Sequence, residues 1–122
     1  MLLQEKGIRN DELILNKMDY TCYILTNPER KVLYTGVTDN LQRRIVEHYQ
    51  NRGQSNSFAG RYYCYCLVWY DTFPTMYDAI NSEKYIKGKS RKWKESLIYE
   101  NNAKWRFLNE EILGEWPPNK TV

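Results

Sequence analysis

Residues 20 to 37 read YTCYILTNPERKVLYTGV, and the fold turns on that stretch. Tyr20 to Thr26 is β-branched and aromatic, Asn27-Pro28-Glu29-Arg30 carries turn chemistry, and Lys31 to Val37 resumes the strand pattern. The order predicts a β-hairpin. Downstream, Leu41, Ile45 and Tyr49 recur at every fourth residue and predict a helix running to about Gln50, with Asp39 and Gln42 placed as a capping box. Small residues, GQSNSFAG, make a loop of 53 to 60, and the uncharged run YYCYCLVWY predicts a third strand from Tyr62 to Tyr70. Thr75 and Asp78 cap a helix that Gly88 ends, Ser90 opens another carrying Trp93 and Leu97, and Asn101-Asn102 breaks it. Trp105, Leu108 and Ile112 predict a last short helix ahead of Pro117-Pro118. The expected class is α/β in the α+β sense: a three-stranded, mostly antiparallel sheet flanked by helices, with the direction of the third strand left open.

The 122 residues suit one domain, expected over 19–113, after an extension over 1–18 and before a tail over 114–122. The extension is expected to be disordered or a single short helix. With 42% hydrophobic and 27% charged residues the composition is that of a globular chain, which disfavours disorder over the whole length. No apolar run approaches the roughly 20 residues that cross a bilayer, so neither a signal peptide nor a membrane helix is read, and a cytoplasmic location is expected. Cys22, Cys64 and Cys66 form no CxxC pair and have no histidine at metal-site spacing. They are read as small core residues within strands.

A formal charge of +3 does not by itself demand a polyanionic partner, but its placement is uneven. Lys84, Lys87, Lys89, Arg91, Lys92 and Lys94 fall within eleven residues that hold no acid. Such a run can neutralise phosphates without reading bases, or can be a solvated helix face. Elsewhere, Tyr23 and Tyr34 lie on the two arms of one hairpin and can project into one site or pack as ordinary strand residues. Gly36 weakens its strand unless something must approach the backbone closely. Arg44 and His48 are four apart, stacked on one helix face at the edge of the apolar stripe. On the wheel of the helix after the third strand, Glu83 falls within the stripe made by Met76, Ala79 and Ile80. An inward carboxylate needs compensation, which leaves two readings open: a metal ligand or a structural ion pair with Arg44.

These residues together resemble a known family. Thr21-Cys22-Tyr23 and Tyr34-Thr35-Gly36 match the two named motifs of the GIY-YIG, or UvrC-intron-endonuclease, nuclease domain in both tyrosines and the glycine, followed in the family's order by Arg44, His48 and Glu83. Small stand-alone bacterial members are the nearest likeness, through a basic helix followed by Asn102-Ala103-Lys104-Trp105, where Ala103 replaces the usual proline. The resemblance implies a sheet between helices, one Mg²⁺ or Mn²⁺ ion on Glu83, and hydrolysis of DNA phosphodiester bonds, RNA remaining possible. It further implies that Arg44 grips phosphate, that Tyr23 or Tyr34 orients or deprotonates water, and that His48 accepts the proton or orients a ligand, with Gly36 and Asn102 as structural positions. Cleavage is expected to be directed by substrate structure, in repair or processing, or to depend on a protein partner for specificity. The alternative is a nucleic-acid-binding module that keeps the scaffold without turnover; a blander one is an interaction domain.

Overall fold

The computed structural model describes residues 20–118, so the expected extension over 1–18 and the end of the expected tail lie outside the described residues. Three strands, β1 (Tyr20–Thr26), β2 (Leu33–Thr38) and β3 (Cys66–Phe73), form a sheet in the order β2-β1-β3, antiparallel throughout. The helices are α1 (Leu41–Gln50), α2 (Phe58–Arg61), α3 (Met76–Lys87), α4 (Arg91–Asn101) and α5 (Asn109–Leu113). None of them is long and apolar enough to cross a membrane. Asn27 closes the hairpin: its carbonyl accepts from Arg30 N at 2.8 Å, and its Oδ1 accepts from the amides of Lys31 at 2.8 Å and Val32 at 2.9 Å.

The alternation of a strand sorts the core into two layers. Tyr23, Leu25 and Leu67 meet Leu41 and Ile45 of α1, Ala59 of α2 and Leu108 on one face of the sheet. Cys22, Ile24, Val68 and Trp69 meet Ile86 of α3 and Ile98 of α4 on the other. The central strand β1 is therefore buried on both faces. All three cysteines are buried, and burial pushes the thiols up, to about 11 for Cys22 and Cys64 and about 12 for Cys66.

Three expectations need correction. The third strand starts at Cys66 rather than Tyr62, because Tyr62 caps α2 and Tyr63 takes a φ of 57°, which ends any extended run; Cys64 thus precedes the strand. The α1 cap is Asn40, whose Oδ1 accepts from Arg43 N at 3.0 Å, while Asp39 binds the Arg43 side chain instead. Within the expected loop, Ser57 accepts from Gly60 N at 3.0 Å and winds Phe58–Arg61 into a helical turn. Thr75 and Ser90 do cap α3 and α4, each accepting an amide at 3.1 Å.

Among the described residues no strand lies beside the outer edge of β3, and the segment after α4 covers it. Leu108 N donates to Leu67 O at 2.8 Å, and Asn109 takes Leu67 N at 2.8 Å while giving its amide to Tyr65 O at 2.8 Å. Asn102, at the end of α4, donates to Val68 O at 3.0 Å and accepts from Arg106 N at 3.0 Å. Two asparagines thereby tie the last helices to the sheet that carries the site.

Candidate active site

Gly36 stands opposite Tyr23 in the β1–β2 ladder, and a Cβ there would lie 2.5 Å from both Cζ and the hydroxyl of Tyr23. The missing side chain is the space through which the tyrosine ring passes. Tyr34 faces Leu25, two positions from Tyr23 on β1, so both phenols project from the same face, with ring centroids 6.3 Å apart. Against them α1 presents one stripe: His48 is buried with its ring 5.8 Å from that of Tyr23 and 5.4 Å from that of Tyr34, and Arg44 lies one turn earlier. The Tyr23 hydroxyl is 2.9 Å from His48 Nε2, and the Arg44 charge acts on the same phenol.

Burial decides the protonation states. It drives the Tyr23 phenol well above its ordinary range, Tyr34 adding to the shift, and the opposing pull of Arg44 is the weaker effect. The pull of the Arg44 charge towards a phenolate is thus outweighed. Burial, then the Arg44 charge, lowers His48 to about 4 against a smaller contrary pull from Glu47. At neutral pH the imidazole is neutral and the phenol keeps its proton. Tyr23 and His48 thus share one hydrogen bond between two neutral groups, its direction set by the imidazole tautomer.

Glu83 sits elsewhere. Its helix, α3, packs on the opposite face, where the Cys22 thiol senses both Glu83 and Lys87. The carboxylate is inward, its side chain 14% exposed, and its partner is Lys87 Nζ at 2.8 Å. Arg44 pairs with Glu47 at 2.9 Å instead, so the Arg44–Glu83 pair left open by the sequence is not formed. The two layers nevertheless communicate: Lys87, held in its charged form chiefly by Glu83, is also close enough to sense Tyr34 on edge strand β2.

As a cation site, Glu83 offers one hard oxygen donor, and no group of three or more His, Cys, Asp or Glu residues that could hold a metal occurs among the described residues. That donor set suits Mg²⁺ or Mn²⁺ in the mode that uses a carboxylate and completes the shell with water and phosphate oxygens. The Lys87 ammonium, half-exposed, already satisfies the charge and must turn aside to admit a divalent ion.

The basic run lies at the end of α3 and the start of α4, on the α3 face. Within it Lys89 rests over the Tyr85 ring at 4.4 Å, and Arg91 binds Glu95 at 2.9 Å as well as Lys31 O. Lys84, Lys87, Arg91 and Lys92 are exposed, while Lys89 and Lys94 are partly covered. On the α1 face, a cleft of about 200 Å³ opens among Tyr34, Arg44, His48, Asn56, Ser57 and Phe58. Sequence reasoning passed over Phe58 and Asn109. Phe58 stands in a small-residue stretch that signals only a loop, and Asn109 reads as an ordinary polar residue at a helix start.

Three comparisons show what the chain is similar to. The family model of the GIY-YIG catalytic domain matches residues 19–96. A UPF0213 protein of Pediococcus acidilactici is 31% identical over 73 residues, 60% of this chain and 74% of the relative. A UPF0213 protein of Limosilactobacillus reuteri is 26% identical over 84 residues, 69% of this chain and 86% of its own. The solution structure of a UPF0213 protein from Bacillus halodurans aligns with 76% of this chain and 96% of its own, at 29% identity and a TM-score of 0.47. With the matched segment holding both tyrosines, Gly36, Arg44, His48 and Glu83, the chain belongs to the GIY-YIG family, a family of nucleases in general.

Proposed function

We propose that the protein is a divalent-metal-dependent endonuclease that hydrolyses DNA phosphodiester bonds, directed by substrate structure and acting in repair or processing of branched or flapped DNA. The observation that carries this reading is the cleft that Arg44, His48 and Tyr34 line together, with Tyr23 hydrogen-bonded to His48 behind it, since it sets a permanent cation beside a proton acceptor. Arg44, 35% exposed, offers its remaining N–H groups to the non-bridging oxygens of a phosphate in the cleft. The phosphate's negative charge offsets the guanidinium's depression of His48, so the imidazole becomes a better acceptor once substrate is bound.

A water in the cleft then loses its proton to the unprotonated ring nitrogen of His48, which lines the cleft and is held in place by Tyr23, and the resulting hydroxide attacks phosphorus while the bond to the leaving oxygen breaks. Tyr34 orients that water through its hydroxyl. Glu83 would hold Mg²⁺ or Mn²⁺, which when bound supplies Lewis-acid stabilisation of the phosphate and the departing oxygen. The exposed cations of the basic run, Lys84 and Lys92 foremost, neutralise flanking phosphates.

The Lys87–Glu83 pair favours one rival, a binding module in which the ammonium permanently occupies the place of the metal. A gel assay with Mg²⁺ or Mn²⁺ on linear, gapped, flapped and branched DNA separates the two. The nuclease reading expects products on at least one branched or flapped substrate, lost in Glu83→Ala; salt-sensitive binding without any product supports the module.

A further inference from the structure

Three aromatic side chains near the cleft, Phe58, Tyr62 and Tyr63, are between 43% and 50% exposed, although each could have been buried at a gain. Two of them are ordered with respect to the site. The Phe58 ring lies within 22° of parallel to that of Tyr34, centroids 6.4 Å apart, and the Tyr62 ring lies 4.8 Å from that of Phe58, tilted 50° to it. Resting on the proposed nuclease reading, we propose that Phe58 and Tyr62 form a stacking platform for one unpaired nucleobase next to the phosphate held by Arg44.

The platform is rigid before any ligand arrives. Gly53 N donates to Gly60 O at 2.8 Å, Cys64 N to Ala59 O at 2.9 Å, and Arg61 Nη2 to Ser55 O at 3.0 Å, so the turn is fastened on both sides. Gly60 is wedged so closely that a Cβ would meet Gln54 O at 2.5 Å. The exposed Phe58 ring, with Tyr62 tilted beside it, offers an apolar face at little cost in side-chain entropy.

Continuity with the cleft selects nucleic acid over a protein surface as the occupant. Phe58 lines the same cleft as Arg44 and His48, and Arg61, one residue before Tyr62, supplies a second cation with its Cζ 6.0 Å from the Tyr62 ring. Rings alternating with cations suit a single strand, in which every base has an unpaired π-face. In a continuous duplex the bases already stack on one another, so the platform distinguishes a flap, gap or overhang from fully paired DNA.

The test uses the full chain in EDTA, so that binding is read without cleavage. The probe is a DNA duplex ending in a short single-stranded overhang with 2-aminopurine at its first unpaired position, compared with the blunt duplex of the same sequence. The expected result is a fluorescence change in the wild type and a preference for the overhang that falls by about tenfold or more in Phe58→Ala, the range expected for one lost stack. Phe58→Trp should retain both, and Phe58→Leu, which keeps the apolar bulk, should lose them. A wild type with no preference for the overhang overturns the proposal, as does a preference and fluorescence change that survive Phe58→Ala. Phe58-dependent self-association of the chain without any change in the probe also overturns it. If the Phe58-dependent signal is present but no DNA is cut when Mg²⁺ is restored, the platform stands and the nuclease reading fails.

Discussion

The two faces of the sheet are built to different rules. On the α1 face two phenols and an imidazole pack ring against ring, Tyr23 is hydrogen-bonded to His48 with the Arg44 charge acting on both, and burial has driven the Tyr23 phenol up and the imidazole down until both are neutral. On the α3 face, the functional candidates are charged, Glu83 bound to Lys87 and a row of cations that reach solvent. Neutral groups poised at one surface suit proton transfer, and ions at the other suit holding a polyanion and its counter-ion. A single strand, with Cys22 facing one layer and Tyr23 the other, separates the two kinds of chemistry.

That contrast is most exposed to kinetics. Removing Arg44 as Arg44→Ala should lower kcat by about 10²–10³, the loss typical of one charge-stabilising donor, while Lys84→Ala with Lys92→Ala should weaken DNA binding and flatten its salt dependence with kcat nearly intact. Equal effects from both would erase the distinction between the faces.

Stability offers the next test. Gly36→Ala places a Cβ on the Tyr23 ring, which is wholly buried and has no free space to enter, and overpacking of this kind costs about 3 kcal/mol. Urea denaturation should show that loss; a drop within experimental error would mean that the ring can move and that the glycine has another purpose.

Acid sharpens the comparison further. The folded-state value of His48, about 4, lies below the ordinary 6.5, so the unfolded chain binds the proton more readily. Its stabilising contribution is complete above about pH 6.5 and is lost as pH falls towards 4, a change of about 3 kcal/mol. Unfolding free energies at pH 7 and pH 4 should therefore differ by that much less in His48→Gln than in the wild type. An unaltered pH dependence would show that the imidazole is not held neutral by its surroundings.

Much of this was readable from the chain, for reasons that name themselves. The hairpin and α1 were legible because turn residues and a four-residue period are local signals, and Gly36 stood out as a glycine where a strand needs a side chain. The third strand was misplaced because Tyr62 to Cys64 has strand composition, yet hydrogen bonds from α2 and the positive φ of Tyr63 hold it as a turn. For Glu83 the helical wheel shows the inward position and leaves a metal or Arg44 as its compensation, whereas the structure supplies Lys87, one turn along the same helix. The protonation states of Tyr23 and His48 were not legible at all, since they follow from burial that only the packed α1 face creates. Asn109, which satisfies two backbone groups of β3, depends likewise on a contact across more than forty residues.

One measurement bears most directly on the claim that groups from both faces act in a single reaction: single-turnover cleavage of a flapped DNA at saturating Mg²⁺ by Tyr23→Phe and Glu83→Gln, each checked by circular dichroism for retained fold. The account predicts that each substitution slows product formation by about 10² or more. Cleavage at the wild-type rate by a folded Tyr23→Phe or Glu83→Gln protein would contradict it.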